Sequence, residues 1–213
     1  MSVTVDAPLV RPQGRPRDPK VDQAILQATL ELVAEGGYGS LTMEAVAAAA
    51  GVGKATLYRR YAGKEQLVID AVASMTDPYD PPEGASVAEQ LVALLEVTRS
   101  KGTSTLAGKL FPRLISARAE HPELMASYRE QVIEPRRARF AAVLRRGVES
   151  GLIRADVDLN YATDLLIGPL AYRNLIRIDA TPDPDLPARV VRDVLAALAP
   201  QTCSCSPEKN EDA

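Results

Sequence analysis

The chain has 213 residues, 46% of them hydrophobic but only 4% aromatic, with no Trp. That length suits one large or two small domains, and an interior of aliphatic side chains and alanine suits packed helices better than a sheet. A formal net charge of −3 excludes a general polyanion binder, yet the charge is uneven: eight cations meet six acids over residues 1–64, against 17 and 22 in the remainder.

Residues 1–17 read as a disordered basic arm, with Arg11, Arg15 and Arg17 spaced by proline and glycine. A helix is predicted next: Asp18 caps it, Pro19 fits its first turn and Gly36-Gly37 ends it. Val21, Ile25, Ala28 and Leu32 form its expected buried stripe. Short helices are predicted over residues 43–49 and 54–60, separated by a tight turn at Ala50–Gly53, and a longer one over 64–75. After the break "TDPYDPPEGAS" the pattern is helical over about 85–101, 104–119, 122–150, 158–178 and 187–199. Pro122 and Asp158 start two of these helices and Gly151 stops one. His121, the single histidine, precedes Pro122 and carries no expected chemistry. Residues 201–213 read as a disordered tail. Its Cys203 and Cys205 are too close for an unstrained disulfide and form no metal motif by themselves. No stretch approaches the roughly 20 apolar residues of a membrane helix, and no apolar run of signal type opens the chain. A cytoplasmic protein without metal or cofactor is expected.

The segment "AVAAAAGVGKATLYRRY" has the mechanics of a helix-turn-helix. Alanines let two helices approach closely, and Gly51 permits the positive φ of a sharp turn. Val52 and Leu57 pin the second helix to the first, while Lys54, Thr56, Tyr58 and Arg59 occupy its other face, where they can reach phosphates and base edges. A helical hairpin with a solvated basic face is the alternative.

From about Gly14 to Val72 the sequence resembles the DNA-binding domain of TetR-family transcriptional regulators. The matching residues are "GRPR" and above all "AGVGKATLYRRYAGKEQL". Gly53, Arg60 and Tyr61 stand where that family commonly has Ser, His and Phe. The resemblance implies an all-α fold of about nine helices: a three-helix DNA-binding domain (18–64) and a helical ligand-binding and dimerisation domain (65–200). It places Lys54–Arg60 in the major groove of a palindromic operator in double-stranded DNA. Arg59 is the expected base reader, with Lys54 and Ala55 near base edges. Thr42, Thr56, Tyr58, Arg60 and Lys64 are expected at phosphates, and Arg15 and Arg17 in an adjacent minor groove.

For the body, the resemblance implies a homodimer whose last two helices pair with their mates. Leu165, Leu166, Pro169, Tyr172, Val191, Val194 and Leu198 are expected near that interface. Pro112, Pro135 and Pro169 should kink or interrupt helices and leave room for a cavity. Phe111, Leu114, Met125, Tyr128, Tyr161 and Tyr172 are its candidate lining, for an apolar or amphipathic small-molecule effector. Arg136, Arg137, Arg139, Arg145 and Arg146 read as a solvated face paired with nearby acids. The expected function is a repressor released by that ligand, associated with the nucleoid when bound to DNA. An activator or a ligand-independent regulator is the alternative, and a helical enzyme a remote one.

Overall fold

A computed structural model describes residues 18–75, 84–103, 105–176 and 183–200, except the side chains of 101–103, 105 and 107. The arm with Arg15 and Arg17, and the tail with Cys203 and Cys205, lie outside the described residues. The described secondary structure is helical throughout: α1 (Pro19–Gly36), α2 (Met43–Ala49), α3 (Lys54–Tyr58), α4 (Lys64–Ser74), α5 (Val87–Thr103), α6 (Thr105–Ser116), α7 (Pro122–Tyr128), α8 (Glu134–Glu149), α9 (Leu159–Leu175) and α10 (Leu186–Leu198). A π-turn, Arg129–Ile133, joins α7 to α8. Those two helices therefore run as one rod, as the reading of 122–150 anticipated.

Local chemistry explains most boundaries. The Asp18 carboxylate accepts from the Lys20 amide at 3.0 Å, and the chain leaves α1 through Gly37 at φ 79°, whose N–H donates to the Val33 carbonyl. The Asp158 carboxylate caps α9 by accepting from the amides of Asn160 and Tyr161. Ser86 and Glu89 form a reciprocal capping box at the start of α5. Pro135 follows the π-turn directly: it has no N–H to continue an α pattern, and just before it the Glu134 amide reaches back to the Arg129 carbonyl.

Two apolar cores organise the packing. The first joins α1–α4 to α6, α7 and the π-turn through Ile25, Val33, Leu57, Leu67, Leu114 and Leu124. The second joins α5, α8, α9 and α10 through Leu91, Leu95, Leu144, Leu166, Val191 and Leu198. Helices α6 and α7 thus come late in the chain but share a core with its front, and α1 packs on both α4 and α6. At Gly147 a Cβ would meet Ile153 Cδ1 at 2.7 Å, so glycine lets the loop after α8 fold back onto it without displacing the Ile153 side chain.

Candidate functional site

The Thr42 hydroxyl caps α2 by accepting from the Ala45 amide at 3.1 Å, and α2 buries Met43, Val46 and Ala47. The turn pivots on Gly51 at φ 65°, and the Val52 amide closes it on the Ala47 carbonyl at 2.9 Å. Helix α3 has five residues, far too few to hold together alone in water. Leu57, fully buried, fastens it to the first core, and Tyr61 is buried just after it. Gly53 at its start supplies no side-chain cap. This anchoring leaves Lys54, Ala55, Tyr58 and Arg59 exposed and Thr56 half-buried.

The predicted cations divide by partner. Arg59 is exposed and, among the described residues, donates only to the Thr56 hydroxyl, at 3.2 Å. Lys54 lies 3.6 Å from Glu44, and the Tyr58 hydroxyl donates to the same carboxylate at 3.4 Å. Arg60, expected at a phosphate, instead forms a half-buried ion pair with Asp22 and ties the end of α3 to α1. Lys64 donates to the Tyr38 carbonyl at 3.4 Å and lies over the Tyr38 ring, 4.5 Å from its centre. Glu44 is the residue that sequence reasoning missed. Its own backbone amide, then Lys54 and Tyr58, hold its carboxyl below the usual carboxylate range despite some opposing desolvation. A fixed negative charge thus sits among the groups that face outward.

A cavity of about 220 Å³ lies between α4, α5, α6, the α7–α8 rod and α9. Of the candidate lining residues, Phe111, Leu114 and Tyr128 line it. Met125 packs half-buried against the first core, while Tyr161 and Tyr172 are 59% and 55% exposed on α9. Pro112 contributes as predicted by helix chemistry: it deprives the Gly108 carbonyl of its i+4 donor, and both residues line the space. Arg136 and Arg137 also reach it. Arg137 pairs with Asp164 and, at 4.0 Å, with Glu134. Arg136 departs from the solvated, acid-paired reading: it is half-buried, and among the described residues it donates only to the Thr98 hydroxyl, at 3.2 Å. Burial pushes the Tyr128 phenol above its ordinary value, and the charge of Arg136 pulls it partly back.

Of the expected interface residues, Leu166, Val191, Val194 and Leu198 are buried in the second core, and Leu165 and Pro169 are half-buried. The outer face of α9 carries Tyr161, Leu165, Pro169, Tyr172 and, just past its end, Ile176. Their i, i+4, i+8, i+11, i+15 spacing makes one apolar stripe.

The "Bacterial regulatory proteins, tetR family" model matches residues 25–71, and the "Tetracyclin repressor-like, C-terminal domain" model matches residues 81–194. The chain is 30% identical to the helix-turn-helix-type transcriptional regulator YdeS of Bacillus subtilis, over 80% of this chain and 86% of that protein. It is also 30% identical to the DNA-binding transcriptional repressor TetR of Mycobacteroides abscessus, over 82% and 92%. The crystal structure of the TetR-family transcription regulator SCO0332 superposes with a TM-score of 0.63 at 32% identity, covering 85% of this chain and all of that one.

Proposed function

The chain belongs to the TetR family of DNA-binding transcriptional regulators, and from that premise we propose that it is a homodimeric repressor released from a palindromic operator by a small apolar or amphipathic ligand. The observation that carries the reading is α3: a short helix pinned by Leu57 that turns Lys54, Ala55, Tyr58 and Arg59 outward. Arg59 reads a base edge, Lys54 and Ala55 lie beside it, and Thr42, Thr56 and Tyr58 hold phosphates. Arg60 and Lys64 act mainly by holding α3 and α4 in place. Arg15 and Arg17 extend the contact into the neighbouring minor groove.

The geometry also supports a route for ligand control. Helix α4 begins beside α3 and ends at the cavity, where Val72 and Met75 form part of the wall. Its 11 residues span about 16 Å. Glu65 accepts from the Ser127 hydroxyl at 2.6 Å, and Gln66 donates to Gln131 at 3.2 Å, so α4 is also tied to the α7–α8 rod. A ligand that prefers a shifted α4 or α6 moves the reading helices away from the spacing of about 34–36 Å that successive major grooves require. A coupling of about 1–3 kcal/mol changes affinity about 5- to 150-fold. Selection of genomic fragments on the purified protein, followed by gel shift at fixed salt, tests the reading. Recovery of a palindromic fragment supports it; failure to enrich any fragment over bulk DNA rejects it.

Two variants probe separate parts. Glu44→Gln removes the acid that holds Lys54 and Tyr58 and repels phosphate. DNA affinity should rise several-fold at low salt, with the gain shrinking as salt screens it; unchanged or weaker binding counts against a DNA-facing Glu44. The α9 stripe serves as the dimer face. Tyr172→Glu combined with Ile176→Glu places charges in it and should convert the dimer to a monomer in analytical ultracentrifugation, with operator binding reduced in parallel.

A further inference from the structure

The cavity has an electrostatic asymmetry that goes beyond its apolar character. Among the described residues its wall contains two guanidinium groups and no carboxylate. Arg137 is neutralised by Asp164 and Glu134, whereas Arg136 has no carboxylate partner among the described residues. Thr98 does not compensate for the charge, since its hydroxyl proton goes to the Leu94 carbonyl at 3.0 Å and only its oxygen faces Arg136. A guanidinium offers five N–H donors, and one is used here among the described residues.

A second group is unpartnered at the same wall. Tyr128 is only 3% exposed, and its hydroxyl has no hydrogen-bond partner among the described residues; its ring meets Phe111 edge-on at 6.3 Å. A buried phenol without a partner costs stability unless something else accepts its proton. The π-turn explains why the two groups share a wall. Eight residues separate Tyr128 from Arg136, which in an uninterrupted α-helix rotates them about 80° apart. The extra residue accommodated by the π-turn removes about one 100° step, which returns them to within about 20° of one line along the rod. Val132 and Ile133, from the turn itself, face the same space.

We propose that this cavity takes an amphipathic monoanion, a carboxylate on a compact apolar body, whose head is held by the Arg136 guanidinium and the Tyr128 hydroxyl while the body packs against Val72, Phe111, Leu114 and Ile167. A charge-assisted bond to a half-buried guanidinium is stronger than a neutral one, and Tyr128 supplies the additional donor that a carboxylate accepts. The proposal deepens the reading of this cavity as the effector site and rests on that reading for its consequence on DNA.

The test is isothermal titration calorimetry of the full chain with octanoate, 1-octanol and octylammonium chloride, which share one apolar body. Octanoate should bind about tenfold or more tightly than the other two. Arg136→Gln should erase that preference and Tyr128→Phe should reduce it, with the Tyr128→Phe protein melting at or above the wild-type temperature because the unpartnered buried phenol is gone. Equal binding of octanoate and 1-octanol overturns the proposal, as does binding of neither, or a preference that survives Arg136→Gln. DNA release is measured separately. Octanoate that binds through Arg136 without weakening the operator complex upholds the anion site and removes the effector role from the proposed function.

Discussion

Arg59→Ala should cost about 1–3 kcal/mol of operator binding at each half-site and relax the preference for the base pair it reads, while leaving the melting temperature unchanged. The reason is its position. Arg59 follows the last turn of α3, is exposed, and among the described residues is restrained only by the Thr56 hydroxyl, so its removal leaves the packing intact. A two-fold dimer presents it twice, so the loss applies to both halves of a palindrome. Quantitative gel shifts with the intact operator and with single-base variants measure both effects. Wild-type affinity and base preference in the variant would reassign Arg59 to an idle surface cation and move base reading to Lys54 or Ala55.

Leu57→Ala should destabilise the front of the molecule by about 2–5 kcal/mol, because a fully buried leucine is replaced and the surrounding core collapses only partly into the space. For a chain of this size that is a fall of about 5–15 °C in melting temperature. DNA binding should be lost along with the fold of the head, since α3 has no other deep anchor: its start lacks a side-chain cap and its remaining residues are exposed or half-buried. Differential scanning calorimetry beside the gel shift separates this variant from Arg59→Ala, which loses binding alone. A Leu57→Ala protein with native melting and native binding would mean that α3 is held by the Arg60–Asp22 ion pair instead.

Much of the reading head is legible because its determinants are local. Asp18, Gly37, Gly51, Pro122, Gly151 and Asp158 each act on the few residues beside them, and the caps and turns fall where their chemistry requires. The outward face of α3 follows from a single buried Leu57 and helical spacing. Partnerships across the fold are not legible in that way. Arg60 looks like a phosphate contact beside Arg59, yet Asp22, 38 residues earlier, claims it. Glu44 reads as an ordinary first-turn acid of α2 until the turn brings Lys54 and Tyr58 to it.

The body shows the same division more sharply. Its helices and their boundaries follow from periodicity, proline and glycine, but the burial of each face depends on what packs there. Helix α9 is apolar on several sides, so spacing cannot say whether Leu166 or Tyr172 turns inward; packing against α5, α8 and α10 buries Leu166 and leaves Tyr172 outside. The Val191, Val194 and Leu198 seam of α10 is a correct apolar face whose partners are α5 and α9 of the same chain. Prolines at 112 and 135 mark where helices must break pattern, but a cavity needs the neighbouring helices as well as the break. The amino-acid order alone sets helix content, caps, turns and the reading face, since these depend on residues a few positions apart. Only tertiary packing, which joins residues tens of positions apart, closes α4, α5, α6 and α9 over the wall that Arg136 and Tyr128 share and decides which charges find partners.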